Sequence, residues 1–215
     1  MQESTTVNSI IKKLKKLYPT PECTLDFRTP FQLLIAVMLS AQCTDKAVNK
    51  VTPALLSKYP SEVEMSKAAV EDVQAIIRPL GFYQTKAKNI ISTSKKLLSW
   101  DKNIHFDSAE EGIQKYTTLD GVGRKTANLV VGEVYKFPAV VTDTHVLRIT
   151  KRLGLTENDN PQKVENDLKN IIPEEEQLDF CHRIVAFGRD ICIARKPKCE
   201  QCLLKEECQF YRTEA

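Results

Sequence analysis

Lys125 is the residue of this 215-residue chain whose setting most favours covalent chemistry. It follows a turn with two glycines, Gly121 and Gly123, and opens a stretch with helical character. The start of a helix disfavours a cationic side chain, and the same field favours the neutral amine that a Schiff-base nucleophile requires. Position alone leaves open an ordinary phosphate-binding or solvent-exposed lysine.

The turn before this lysine predicts an anion site. Gly121 and Gly123 let the backbone adopt positive φ and expose N–H groups, and the next helix directs its positive end to the same side. Such a helix-hairpin-helix turn binds DNA phosphate without reading sequence, with Val122 and Arg124 at the same surface. The contiguous Gly-Lys-Ser/Thr of a nucleotide-binding phosphate loop is missing. A tight turn with a C-cap glycine is the alternative.

Asp143 is the second candidate for chemistry. It lies eighteen residues after Lys125, between the apolar Val140-Val141 and a helical stretch. Aspartate is well suited to cap a helix N-terminus, and a cap carboxylate can also stabilise a cationic sugar or assist proton transfer. The two roles are compatible, so we expect Asp143 to start a helix and to face a reacting group.

Four cysteines near the C-terminus predict a metal site. Four thiolates in a short loop hold a [4Fe–4S] cluster or a tetrahedral zinc. Zinc sites more often pair their ligands as two close couples, and here only one such couple occurs, so the cluster is favoured and zinc is the alternative. The spacing is Cys-x6-Cys-x2-Cys-x5-Cys, formed by Cys192, Cys199, Cys202 and Cys208.

A basic run lies inside that loop. Arg195, Lys196 and Lys198 occur between the first two cysteines with no acidic residue among them. They would present positive charge to a phosphate backbone, and a solvated charge run is the alternative. The other three cysteines, Cys23, Cys43 and Cys181, lie among apolar residues and are predicted to be small buried hydrophobes.

Two motifs together resemble a known family. Leu-x-Gly-Val-Gly-Arg-Lys-Thr-Ala at 119–127 and Val-x-Asp-Thr-His-Val-x-Arg at 141–148 are similar to the helix-hairpin-helix, Gly/Pro-rich loop and aspartate superfamily of DNA glycosylases. The lysine indicates the endonuclease III branch, whose cluster loop has the same cysteine spacing. The resemblance implies that Lys125 attacks the sugar carbon bearing the damaged base, with Asp143 assisting. An imine then forms, and β-elimination cuts the strand 3′ to the lesion.

The resemblance also implies a substrate and further contacts. The expected substrate is double-stranded DNA with oxidised or ring-saturated pyrimidines or abasic sites. Gln42, within Leu-Ser-Ala-Gln-x-Thr-Asp at 39–45, would fill the space left by a flipped nucleotide. Phe82 would wedge into the opposite strand. Asp45 is expected to line the pocket or cap the next helix, and His145 to support the loop around Asp143.

Two departures from the family pattern keep rival functions open. Asp120 replaces the usual proline before Gly-Val-Gly, and Thr142 replaces an apolar residue. A carboxylate near the phosphate site would weaken DNA binding unless it is turned away. The rivals are a monofunctional glycosylase, against which Lys125 argues, a DNA-binding protein without the chemistry, and a zinc-containing nucleic-acid adaptor.

The fold is predicted to be all-α. Helix signals begin at Ile10, Thr29-Pro30, Thr52-Pro53, Ser66, Lys86, Ser108 and Asn160-Pro161, and only 139–141 resembles a strand. The resemblance implies two helical domains flanking a DNA-binding cleft. One is a six-helix domain with the hairpin, residues 25–137. The other is discontinuous, residues 1–24 and 138–215, and carries the cluster loop.

Composition and charge exclude two classes of protein. The longest apolar run, 31–39, is about half the length needed to cross a bilayer, and the first residues lack the pattern of a signal peptide. Seven cysteines is an odd count for a secreted disulfide scaffold. The net charge of +3 is a weak indication of an anionic partner. We expect a cytoplasmic, DNA-associated monomer that does not bind membranes.

Overall fold

The computed structural model describes residues 2–101 and 103–214, and its regular structure in that part of the chain is helical, without a strand. The all-α prediction is therefore confirmed. The strand expected at 139–141 is wrong: these residues are buried but form no regular structure, between two helices. Among the described residues no helix combines the length and the apolar character that a bilayer crossing requires.

The chain divides into two compact units, residues 23–137 and residues 1–22 with 138–215. The continuous unit contains seven helical segments in its described part, where six helices were expected. They are α2 Pro30–Leu39, α3 Asp45–Lys58, α4 Glu62–Ser66, α5 Val70–Ile77, α6 Tyr83–Leu97, α7 Ala109–Thr117 and α8 Arg124–Tyr135.

The discontinuous unit joins the first helix to the C-terminal helices. Its α-helices are α1 Gln2–Leu17, α9 Thr144–Leu153, α10 Pro161–Ile171, α11 Gln177–Asp190 and α12 Gln209–Glu214, with short 3₁₀ helices at Glu174–Glu176 and Cys199–Gln201. Helix α11 packs against α1 and α9, and α12 packs against α9.

Helix α2 is the central element of the continuous unit. Its side chains from Leu33 to Leu39 are all buried, which the unbroken apolar run predicted. It packs against α3, α6 and α8. The Thr29 hydroxyl accepts from the Gln32 N–H at 3.2 Å and caps the helix, with Pro30 in its first turn, as the sequence predicted.

Two predicted helix starts in this unit are wrong. Pro53 lies inside α3, which Thr44 caps by accepting from the Ala47 N–H. Proline removes one backbone donor, but the helix continues through it because the packing of its buried side chains supports it. Ser66 ends a helix, α4, whose start is a capping box of Ser61 and Glu64. A five-residue helix has too little periodicity to be recognised by pattern.

A close approach at Gly188 sets α11 against α9. A Cβ at Gly188 would lie 2.5 Å from His145 Nδ1 and 2.7 Å from Ile149 Cδ1. Since real Cβ atoms do not approach this closely, only glycine lets the two helices pack at this separation. The contact positions the first turn of α9, which begins directly after Asp143.

Gly188→Ala should therefore destabilise the protein by about 1–3 kcal/mol, the usual cost of overpacking, despite the better helix propensity of alanine. Thermal unfolding followed by circular dichroism measures the effect. Ile149→Val in the Gly188→Ala background removes the Cδ1 methyl and should recover part of the loss. Additive losses from the two substitutions would contradict this account.

Candidate active site and cluster loop

The hairpin between α7 and α8 contains a tight turn. The Val122 N–H donates to Leu119 O at 3.2 Å, and Gly121 has a φ of +77°. These features define a type II β-turn with Asp120 and Gly121 at its centre. The Val122 side chain is buried and its N–H is used within the turn. Any anion contact of the hairpin therefore falls to the N–H groups from Gly123 onward.

The N-terminus of α8 is open to a ligand. Gly123 is its N-cap and supplies no side-chain hydrogen bond. A Cβ built at Gly123 has nothing within 4 Å among the described residues. The first-turn N–H groups of a helix have no partner within the helix, so this end retains unused donors and the positive pole of the helix.

Lys125 lies in this first turn, and its side chain is exposed. In the described part of the chain it makes no hydrogen bond or ion pair. Its neighbour Arg124, in contrast, donates from two nitrogens to both carboxylate oxygens of Glu110, at 2.9 and 2.8 Å. This bidentate ion pair joins the first turns of α7 and α8. It engages the Arg124 guanidinium, which the sequence predicted to contact DNA.

Asp143 caps α9 as the sequence predicted. Its Oδ1 accepts from the Val146 N–H at 2.8 Å, and the residue is half-buried. Among the described residues Oδ2 has no partner. The preceding Thr142 is buried, so its hydroxyl does not alter the exposed face of the cap.

The buried segment before Asp143 contacts a thiol. The Val141 N–H donates to Cys181 Sγ at 3.3 Å. Burial raises the pKa of Cys181 to about 12, so this cysteine is a neutral side chain of the core. The prediction that it is a small buried hydrophobe is confirmed.

His145 and Arg148 connect α9 to the end of α11. His145 Nδ1 lies 3.2 Å from an Arg148 nitrogen, which donates to Cys192 O at 3.0 Å. His145 also contacts the backbone position of Gly188. The His145 ring therefore packs against neighbouring residues beside the start of α9.

Gln42 and Phe82 occupy two exposed loops of the continuous unit. Both have left-handed backbone conformations, with φ of 56° and 57°, which is uncommon for residues other than glycine. Phe82 keeps 67% of its surface exposed. A large apolar side chain held outward in an unfavourable conformation is a feature of functional surfaces.

A buried lysine links these two loops. Lys86 is 7% exposed, and its Nζ lies 3.1 Å from Cys43 Sγ. A Cβ at Gly81 would be 3.9 Å from the same sulfur. Cys43 is half-buried beside the core. The sequence did not reveal this contact, because nothing in the local pattern relates the two positions.

Asp45 is the first residue of α3 and does not cap it, because Thr44 does. The cap interpretation was therefore wrong. The Asp45 carboxylate accepts from the Thr24 hydroxyl. This contact ties the segment before α2 to the start of α3.

The four C-terminal cysteines line one pocket that is partly open to solvent. All four are free thiols and half-buried. The described residues contain no group of three or more ligand side chains arranged for a single metal ion. Burial first, and then the three other cysteines, raise the pKa of Cys202. Four sulfurs around one space with apolar walls fit an iron–sulfur cluster better than zinc.

Arg152 of α9 anchors the start of the cluster loop. Its guanidinium donates to Ile193 O and Ala194 O, both at 2.9 Å, and lies 3.4 Å from Cys192 Sγ. The three basic residues that follow, Arg195, Lys196 and Lys198, are exposed. Sequence reasoning missed Arg152, because its partners are about forty residues away along the chain.

Two family matches cover most of the chain. Residues 35–174 match the family described as HhH-GPD superfamily base excision DNA repair protein. Residues 192–208 match the iron–sulfur binding domain of endonuclease III.

Curated proteins and solved structures agree with these matches. The chain is 43% identical to Endonuclease III of Synechocystis sp., covering 93% of this chain and 90% of that protein. It is 38% identical to Endonuclease III of Escherichia coli K12, covering 94% and 93%. A solved structure of a trapped endonuclease III–DNA covalent intermediate aligns with a TM-score of 0.88 at 39% identity, covering 97% of both chains.

The cap role of Asp143 predicts a graded effect on stability. Asp143→Ala should lower the free energy of unfolding by about 0.5–2 kcal/mol, whereas Asp143→Asn should cost much less, because asparagine caps helices as well as aspartate. Thermal unfolding of both variants measures this, with Thr144→Ala at the next, exposed position as control. Equal losses for alanine and asparagine would show that the cap hydrogen bond is not what stabilises α9.

The cluster loop predicts the metal content. Purified protein should be yellow-brown and contain iron and sulfide, and Cys202→Ser should lose both together with the visible absorption. Cys23→Ala is the matched control, since Cys23 packs beside the other unit's core, and it should retain iron. Zinc in place of iron, or iron unchanged in Cys202→Ser, would contradict the assignment.

Proposed function

We propose that Lys125 and Asp143 carry out the reaction of this chain, which belongs to the HhH-GPD superfamily of base excision DNA repair proteins and to its endonuclease III family. The protein is a base excision repair DNA glycosylase with abasic-site lyase activity. The assignment of residues to the chemistry is our inference, and it depends most on one observation. In the part of the chain that the structure describes, the exposed Lys125 at the open start of α8 has no hydrogen-bond or ion-pair partner.

Lys125 is the proposed nucleophile. Its amine attacks the C1′ carbon of the damaged nucleotide, and the bond from C1′ to the base breaks. The sugar ring then opens to an imine on the lysine. Loss of a C2′ proton breaks the bond from C3′ to its oxygen, which cuts the strand 3′ to the lesion. No carboxylate among the described residues pairs with the lysine, so its amine is accessible to the substrate.

Asp143 is the proposed carboxylate partner. The Val146 N–H occupies Oδ1, which fixes the carboxylate and leaves Oδ2 for the substrate. A fixed carboxylate stabilises positive charge on the sugar as the base departs, and it can transfer a proton during imine formation.

The proposed DNA contacts are distributed over three surfaces. The N–H groups from Gly123 onward bind a backbone phosphate. When the nucleotide is flipped out, Gln42 fills the gap that it leaves and Phe82 wedges into the opposite strand. The exposed Arg195, Lys196 and Lys198 add phosphate contacts that salt would weaken. Arg124 is a secondary contact at most, since Glu110 already engages it.

The chain carries a [4Fe–4S] cluster, which we assign to Cys192, Cys199, Cys202 and Cys208. When bound, the cluster would cross-link the loop. It would take no part in base removal, because four protein thiolates leave no iron with a free coordination position. Arg152 and the loop backbone then hold the basic residues in place.

The proposed substrate is double-stranded DNA with oxidised or ring-saturated pyrimidines or abasic sites. We propose that the protein acts as a monomer. Because DNA is the substrate, we propose a cytoplasmic, DNA-associated location.

Borohydride trapping tests the nucleophile. Wild type should form a covalent protein–DNA adduct on a duplex with one thymine glycol, because borohydride reduces the imine to a stable amine. Lys125→Ala should lower the adduct by a factor on the order of 100 or more while still binding the duplex. Lys95→Ala, at an exposed position of α6, is the matched control and should trap like wild type.

Asp143→Asn provides the second arm, since it keeps a cap acceptor and removes the charge. It should trap poorly at a stability close to wild type. No adduct from wild type on either thymine glycol or an abasic-site duplex would refute the lyase mechanism. An undiminished adduct with Lys125→Ala would refute the assignment of Lys125 alone.

A further inference from the structure

The turn that precedes the DNA-binding helix lacks the residue that would normally stiffen it. Asp120 occupies the second position of the type II turn that Gly121 completes with its φ of +77°. Proline is favoured at this position because its ring fixes φ near the required value. An aspartate leaves the turn free to sample other conformations, unless its side chain restrains it.

Helix α6 supplies that restraint through the Asp120 carboxylate. The Ser92 hydroxyl donates to Oδ2, and Lys96 Nζ donates to Oδ1 at 2.8 Å. Both carboxylate oxygens are thereby engaged by one neighbouring helix. The Lys96 ammonium and the Ser92 hydroxyl also hold the pKa of Asp120 below its ordinary value, so the carboxylate is charged at neutral pH.

The same helix binds the backbone on either side of this carboxylate. The Thr93 hydroxyl donates to Asp120 O at 2.9 Å, and Lys96 Nζ donates to Thr118 O at 3.1 Å. At Gly121 a Cβ would lie 2.5 Å from Asn89 Nδ2, so the turn rests directly on α6. Positions 89, 92, 93 and 96 share one helix face, and this face forms a continuous seat for the hairpin.

We propose that Asp120 is a positioning residue for the DNA-binding hairpin: Ser92 and Lys96 hold its carboxylate, which restrains the turn as a proline ring would. The inference rests on the proposed function of the hairpin. Its consequence is that the N–H groups from Gly123 onward are oriented before DNA arrives, so that less conformational entropy is lost on binding. The negative charge is directed at α6 and neutralised there instead of facing the phosphate.

The sign of one mutational effect distinguishes this role from a purely electrostatic one. If Asp120 acted only as a negative charge near DNA, its removal would strengthen binding to the phosphate backbone. If it positions the hairpin, its removal weakens binding although the protein becomes more positive. The expected loss is about two- to fivefold in affinity, which corresponds to the size of effect seen when a backbone restraint is released.

The experiment measures the dissociation constant for a duplex containing a tetrahydrofuran abasic-site analogue, with wild type, Asp120→Ala and Asp120→Pro. Asp120→Ala should bind more weakly than wild type, and Asp120→Pro should restore the affinity, because proline fits the same turn position. Equal or tighter binding by Asp120→Ala would overturn the proposal, and so would an Asp120→Pro that binds no better than Asp120→Ala. Thermal unfolding midpoints show that each variant is folded.

Asp120→Asn keeps the proposal testable if the alanine variant does not fold. It retains an acceptor for Ser92 and loses the ion pair with Lys96, so it should weaken binding less than about threefold. Binding tighter than wild type would show that the carboxylate acts only as a repulsive charge, against the proposal.

Two neighbouring lysines give a matched pair. Lys96→Ala breaks the tether, whereas Lys95→Ala removes the same charge from an exposed position next to it. Lys96→Ala should weaken binding more than Lys95→Ala in the wild-type background. The difference should be smaller in Asp120→Pro, where Lys96 keeps only its hydrogen bond to Thr118 O. Equal effects of the two lysines would count against the tether.

Trapping separates this inference from the proposed function. With Asp120→Ala, the loss should appear in the dissociation constant rather than in the single-turnover trapping rate at saturating abasic-site DNA, since Lys125 is untouched. Failure of wild type to trap would refute the proposed function, whereas a binding result of the wrong sign with normal trapping would refute only the role of Asp120.

Discussion

The N-terminus of α8, which has no side-chain cap, is the constraint on which the rest of the site depends. A helix start needs acceptors for its first N–H groups, and most helices here obtain one from a side chain. Helix α8 begins at a glycine that offers none, and α6 begins at Phe82, which also offers none. Both of these ends belong to segments that we assign to DNA, although α5 and α11 also begin without a side-chain cap. The helices with side-chain caps are α2, α3, α4, α7, α9 and α10.

Around that helix start, the charged neighbours of Lys125, our proposed nucleophile, are engaged in ion pairs. Arg124 is bound by Glu110 and Asp120 by Lys96, each pair joining the hairpin to an adjacent helix. These pairs are partly exposed and contribute little to global stability. Their effect is local, since they fix the side chains around Lys125, which pairs with none of the residues that the structure describes.

In the other unit, α9 connects the second catalytic candidate to the cluster loop. Asp143 starts the helix, and Arg148 and Arg152 extend from later turns to the backbone of the loop. Gly188 lets α11 approach the same helix closely. The cluster can therefore support the proposed chemistry without taking part in it. Helix α9 carries both the capping carboxylate of Asp143 and the side chains that bind the loop.

The sequence by itself determined the helical class, the hairpin with its lysine, the aspartate cap and the four clustered cysteines. Each of these is a local pattern, in which the residues that interact are close along the chain and their spacing reports the chemistry. Helix starts within the continuous unit were predicted less well, because Pro53 is tolerated where tertiary packing supports the helix. The tertiary structure alone decided what surrounds these motifs: the seat of Asp120 on α6, the Lys86–Cys43 contact, and the reach of Arg152 to the loop. These partners are separated by tens of residues, and no local periodicity records a contact that exists only once the helices have packed.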